Sequence, residues 1–336
     1  MKKAFLLFVV LLSMSFIYSN GINEMAADDN RLVVYAYDTF CSDWGPGAEV
    51  IPQFKEATGI DLELVSAGDA VEMLNKIILE GDKCPADVVL GITDDISAKL
   101  YPYLESYESE YLASIDDELE FDPDHRLLPF DYGTFAFVFD SESNVRRPES
   151  LADLAKDEYK DKVILIDPRT SSVGMGLLMW SYNEFGDEYL TWWKKMKDNA
   201  LTIASGWSSA YGLFTEGEAP IVLSYTTSPV YHVMNEDTTR YEALIFNDGH
   251  QATIEGVGIL KTADSKDEAK IFVDFVLSSG QKDIAVLNSM YPTNSDTILP
   301  DAFDYAPKPD KMYKSGSLSE EETAALLKAW TEVMTN

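Results

Sequence analysis

Histidine is scarce in this chain. The 336 residues hold three, His125, His232 and His250, too scattered to build a metal centre or a histidine-based triad. The usual announcements of catalysis are missing too: there is no G-x-S-x-G, no H-E-x-x-H, no P-loop and no C-x-x-C. Positive charge is the next shortage. With 26 basic residues against 58 acidic ones, the net charge is −32. Such a field repels nucleic acid and anionic membrane surfaces and weakly favours a cationic ligand. Much of it serves solubility alone, since physiological salt screens charges beyond ~8 Å. Past the N-terminal segment, no stretch reaches the ~18 uninterrupted apolar residues of a membrane-spanning helix.

Cysteine is also rare. Two in an exported chain suggest a disulfide by arithmetic. However, Cys41 follows the carboxyl end of the first strand and Cys84 precedes the amino end of the third, about one strand length apart. A bridge tolerates only ~7 Å between Cα atoms, so two free thiols are expected. Export itself is read from MKKAFLLFVVLLSMSFIYSNG, residues 1–21. Lys2 and Lys3 lead an apolar run from Ala4 to Ile17, and Ser19-x-Gly21 has the small-x-small form of a cleavage site. No cysteine follows that run, which argues against lipidation and for a soluble periplasmic product. Removing the two lysines leaves 24 basic against 58 acidic residues, a charge of −34.

What the chain does contain is alternation of strand and helix, enough for two domains. LVVYAY (32–37), DLELVSA (61–67) and ADVVLG (86–91) read as strands. Between the first two lies a helix with Pro46 at its start and Gly59 as its stop; between the last two, one opened by the capping-box pair Asp69 and Glu72. This βαβαβ pattern predicts a parallel sheet with right-handed crossovers. The pattern returns in KVILID (162–167), LTIAS (201–205) and PIVLSY (220–225), with helices between. FDYGTFAFVFDSE (130–142) and IEGVGIL (254–260) are suited to cross between two lobes, and the tail from Ser319 reads as a packing helix. The expected fold is α/β and two-lobed, each lobe a mainly parallel sheet flanked by helices and joined by crossover strands. Residues 31–131 with 252–295 form lobe 1; residues 132–251 with 296–336 form lobe 2.

Ligands in such sheets bind beyond the carboxyl ends of the strands. Those positions hold Tyr37, Trp44 and Asp69 in the first unit, and Ser171, Ser172, Trp207, Tyr225 and Tyr231 in the second. Plainer roles compete. Asp69, Ser171 and Ser172 have the spacing of helix caps, although a helix start is also a ready anion site. Trp44 and Trp207 could be core. Tyr225 and Tyr231 flank Thr226, Thr227, Ser228 and Pro229, a run expected to break any strand or helix period.

The segments YDTFCSDWGPG, ADVVLG, LLPFDYGTFAFVFD, DPRTSSVGMGLLMW, GWSSAYGLF, LSYTTSPVYH and MYP, in that order, resemble the thiamine-binding periplasmic proteins of ABC importers. The likeness runs through nearly all of residues 31–300. It implies a type II periplasmic binding protein and a non-enzymatic, monomeric receptor without cofactor or metal. Such a receptor passes thiamine, or its mono- or diphosphate, to a membrane permease driven by a separate ATPase. Carried over residue by residue, the resemblance places Asp69 and Ala70 on the phosphate side, with Ser171 and Ser172 opposite. Trp207 and Tyr225 to Pro229 (Thr226, Thr227 and Ser228 included) are implied ligand contacts, and Tyr37, Trp44 and Tyr231 surround the rings. There are two departures: Ala70 stands where relatives commonly have glycine, and Ser289 where a tryptophan wall is expected.

Two other functions are compatible with the residues, one within the binding class and one outside it. A receptor of the same fold could take ferric iron through paired tyrosinates such as Tyr225 and Tyr231, or a polyamine, or a sugar. A secreted glycosidase could use two carboxylates such as Asp69 and Asp94.

Overall fold

The computed structural model describes residues 31–314 and 318–335. The segment read as a signal peptide, residues 1–21, lies outside them. In chain order the first unit is β1 (Arg31–Ala36), α1 (Gly47–Thr58), β2 (Asp61–Ser66), α2 (Ala70–Glu80) and β3 (Val88–Thr93). A short β4 (Leu104–Glu105) precedes the long β5 (Leu128–Asp140). The second unit is β6 (Val163–Ile166), α3 (Ser172–Phe185), α4 (Tyr189–Asn199), β7 (Ala200–Ala204), α5 (Trp207–Thr215), β8 (Ile221–Tyr225), α6 (Ser228–Glu236) and β9 (Tyr241–Ala243). Strand β10 (His250–Leu260) crosses back, followed by α7 (Lys266–Leu277), α8 (Gln281–Asn288), β11 (Tyr291–Pro292), β12 (Met312–Tyr313) and α9 (Glu320–Thr335).

Local chemistry sets these boundaries. Gly59 ends α1 in the left-handed conformation with its N–H on Lys55 O, and the expected capping box opens α2. β3 is buried at all six positions, the pattern of a strand covered on both faces. β1 pairs in parallel with β2 and β3, and β6 in parallel with β7 and β8.

The crossing strands join the two units into one path, β2-β1-β3-β10-β5-β8-β6-β7. The first half of β5 pairs antiparallel with β10, from Leu128 to Thr134; the second half pairs with β8, from Phe135 to Phe139. One continuous strand therefore carries the chain from the first sheet to the second, giving the two-lobed type II architecture.

Aromatic packing closes each unit. Phe54 of α1 meets Phe272 and Phe275 of α7 edge-on, at 5.2 and 5.4 Å between ring centres. In the second unit Trp193 of α4 stands edge-on to Trp330 of α9 at 5.6 Å, so the C-terminal helix packs as expected. Both cysteines are free thiols, also as expected.

One expectation is corrected. The run Thr226 to Pro229 does not break all periodicity: Thr226 and Thr227 make a turn and α6 begins at Ser228, with Pro229 in its first turn. Proline's missing N–H costs nothing there, because the first amides of a helix have no intrahelical acceptor. Tyr231 accordingly sits on a helix, not in a loop.

Candidate functional site

Between the two units lies a cavity of about 410 Å³, within the range of small-molecule sites. Strand ends and helix starts build it. Tyr37 follows β1 and its ring lies over Gly91 of β3. A Cβ at Gly91 would come within 2.2 Å of that ring, and the residue's φ is +97°. Glycine is therefore required for Tyr37 to enter the cavity. The Tyr37 hydroxyl accepts from Asn288 Nδ2 at 2.6 Å.

Trp207 opens α5. Its ring stacks on Tyr211, with centres 4.8 Å apart and planes 19° apart, and its Nε1 donates to Ser224 Oγ at 2.7 Å. Tyr211 is held in turn by His232 Nε2 at 2.9 Å, and His232 Nδ1 by Glu236 at 2.7 Å. Tyr225 ends β8 and leans on Phe135 at 5.1 Å. Trp44 and Tyr231, 51% and 37% exposed, stand where the cavity opens to water.

Asp69 links the two sides. Its Oδ1 accepts from its neighbour Ala70 N (2.7 Å) and, across the cleft, from Ser172 N at the start of α3 (3.1 Å). Its Oδ2 accepts from Trp207 N at the start of α5 at 3.4 Å. Three helix N-termini therefore converge on one carboxylate, each favouring negative charge. Burial nevertheless pushes the Asp69 carboxyl up to about 6, against hydrogen bonds from Ser171, Ser172, Trp207 and Ala70 that favour the ionised form.

Of the residues singled out from sequence, Tyr37, Trp44, Asp69, Ala70, Ser172, Trp207, Tyr225, Ser228 and Tyr231 line the cavity. Ser171, Thr226, Thr227 and Pro229 do not. Ser171 is the N-cap of α3, its Oγ accepting from Val173 N, and it reaches the site only through Asp69. Thr226 donates its N–H to Thr134 O, and Thr227 precedes the first residue of α6. Asp94, the second member of the conceivable glycosidase pair, is also outside the lining; its Oδ1 accepts from Ile254 N. Ser289 does line the cavity, in the left-handed conformation at the end of α8.

Sequence reasoning missed Tyr211, Glu236, Glu255 and Asn288. For Glu255 there was a signal: a lone carboxylate in the apolar run IEGVGIL. The complete wall carries Asp38, Asp69, Glu236 and Glu255 and, among the described residues, no lysine or arginine. No group of three or more His, Cys, Asp or Glu among the described residues is placed to hold a metal ion.

Comparison with known proteins gives concordant results. The model of the bacterial extracellular solute-binding protein family matches residues 97–314. The thiamine-binding periplasmic protein of Brucella melitensis is 39% identical over 309 residues, covering 90% of this chain and 91% of that one. The protein of the same name from Escherichia coli is 37% identical over 303 residues, covering 89% and 90%. A solved periplasmic thiamin binding protein superposes with a TM-score of 0.84 at 34% identity, covering 91% of this chain and 96% of that chain.

Proposed function

We propose that this chain, which belongs to the bacterial extracellular solute-binding proteins and among them to the thiamine-binding periplasmic proteins, captures thiamine in its cleft and presents it to an ABC import permease. The observation that carries the reading is the character of the wall: aromatic faces from Tyr37, Trp44, Trp207, Tyr225 and Tyr231, four carboxyl groups and, among the described residues, no basic side chain. Thiamine's thiazolium is a permanent cation. An aromatic face within ~6 Å of it contributes ~0.5–2 kcal/mol, more where water is excluded, and the carboxyl groups add to the attraction. A sugar would not use that charge, and an anionic ligand would meet it unfavourably.

The mono- and diphosphate are accommodated only at the convergent amides of Ala70, Ser172 and Trp207, where Asp69 now accepts. The reading assigns no chemistry to these residues: the protein is a receptor, and the carboxylates neutralise and orient. It works as a monomer in the periplasm after removal of residues 1–21, without a lipid anchor, and a separate ATPase drives the permease. The lobes divide as the sequence suggests, 31–131 with 252–295 against 132–251 with 296–336. Contact with both rims shifts an existing equilibrium between open and closed forms.

Titration calorimetry with thiamine tests this directly. One site per chain is expected, and Tyr225→Ala, which removes a ring from the wall, weakens binding at least about tenfold (~1.4 kcal/mol) while the protein stays folded. No heat with thiamine, or an unaltered affinity in the variant, contradicts the assignment.

A further inference from the structure

The fold places two carboxyl groups side by side at the base of the cavity, Glu255 in its lining and Asp131 outside it. Asp131 of β5 and Glu255 of β10 are direct partners across the antiparallel ladder, so their side chains leave the same face of the sheet. Both are buried. Like charges opposite each other destabilise a strand pair, and no described lysine or arginine is paired with either residue. The local donors are few. Asn288 Nδ2 reaches Asp131 Oδ2 at 3.1 Å while also holding the Tyr37 hydroxyl, and Tyr37 bonds the Glu255 carboxyl. Among the described residues, Asp131 Oδ1 and Glu255 Oε2 have no hydrogen-bond partner.

More than nine in ten buried polar groups are satisfied in folded proteins, and each exception calls for an explanation. Here two neighbouring exceptions share one site, and one of them belongs to a residue that lines the ligand cavity. What is missing is an N–H donor arriving from the cavity side. Thiamine's second ring supplies one: a 4-aminopyrimidine carries an exocyclic amine beside a ring nitrogen, an edge that a carboxyl group complements.

We propose that Glu255 is the residue that selects the aminopyrimidine, receiving the ligand's exocyclic N–H on Oε2 at the cavity floor. The inference rests on the reading of the ligand as thiamine and adds to it the group that discriminates among close analogues. Burial, and then the Asp131 charge, raise the Glu255 carboxyl well above the usual range. The pair therefore resists carrying two buried charges at once.

The experiment measures affinities of the wild-type protein and Glu255→Gln for three compounds. These are thiamine, oxythiamine, in which an oxo group replaces the amine, and pyrithiamine, which keeps the aminopyrimidine and replaces the thiazolium. A site built to bond an N–H rejects an analogue that lacks it far more strongly than a site built on shape. The wild type is expected to prefer thiamine to oxythiamine by at least about 30-fold, and Glu255→Gln, which offers its own N–H to the oxo group, to cut that ratio to about threefold or less. The ratio of thiamine to pyrithiamine stays unchanged. Equal weakening of thiamine and oxythiamine by the substitution overturns the proposal, because a merely structural role moves both alike. Should Glu255→Gln fail to fold, Glu255→Asp withdraws the carboxyl by one methylene and is expected to lower the same ratio; an unchanged ratio there overturns it as well. If the wild type binds none of the three compounds, the functional reading itself falls. If it binds thiamine and oxythiamine equally, only the role of Glu255 falls.

Discussion

At the scale of single residues, Asp69 shows how one side chain can gather the first amides of three helices. Its carboxylate accepts from the first amides of α2, α3 and α5, the donors a phosphate would need. A phosphorylated ligand must therefore share those donors with a group of its own sign. Two unit charges 4 Å apart repel by about 4 kcal/mol at an effective dielectric constant of 20. Asp69→Asn keeps an acceptor and removes the charge, so it is expected to improve binding of thiamine monophosphate relative to thiamine by about fivefold or more. Parallel calorimetric titrations of the two compounds check this; an equal change for both disproves the competition. The capping role of Asp69 was legible from its spacing to Glu72. Its reach to Ser172 and Trp207, 103 and 138 residues away, was not, because nothing local in the sequence encodes which helix starts will face each other.

Elements were the most legible level, because hydrophobic period and end signals are local. Gly59 stops α1 and the capping box starts α2, both as read. The α6 boundary was missed because a proline in a run of hydroxyls is ambiguous: it can end regular structure or begin a helix, and only tertiary placement decides. Another long-range device went unseen. Asp87, just before β3, accepts from Val33 N of β1 at 2.9 Å and from Asp264 N and Ser265 N, ahead of α7, at 3.0 and 3.2 Å. One buried carboxylate thus ties an interior strand of the first sheet to the start of the helix that covers it. Asp87→Ala strands three amides at once and is expected to cost more than about 2 kcal/mol. Chemical denaturation measures the loss; a cost under about 0.5 kcal/mol would mean that water replaces the carboxylate fully. Binding in the surviving folded fraction should be unaffected, since Asp87 does not line the cavity.

Over the whole molecule, buried acids set the dependence of stability on pH. Burial pushes Asp69 and Asp95 up to about 6 and raises Asp131 and Glu255, against about 4 in the unfolded chain. Such groups bind protons more tightly when folded. Their stabilising contribution is therefore complete below about pH 4 and is lost as pH rises, through about 6 for Asp69 and Asp95 and about 7 for Asp131, with Glu255 acting in the same direction. Asp122 and Asp140, lowered by hydrogen bonds from Arg126 and Arg240 despite their burial, act oppositely, but only in the acid range. The net charge of −32 adds self-repulsion in the same direction as the buried acids. The ligand-free protein should melt about 5 °C or more higher at pH 5 than at pH 7.5; calorimetric scans showing a flat or rising Tm would refute this. The placement of tryptophan has an optical consequence. Trp180, Trp192, Trp193 and Trp330 are sealed in the second unit, while Trp44 is half in water and Trp207 faces the cleft. Emission from the sealed four is blue and indifferent to solutes, whereas the other two report at longer wavelength and sit where an arriving ring would quench them. The molecule thus carries an internal fluorescence standard beside its own occupancy gauge, readable without any attached dye.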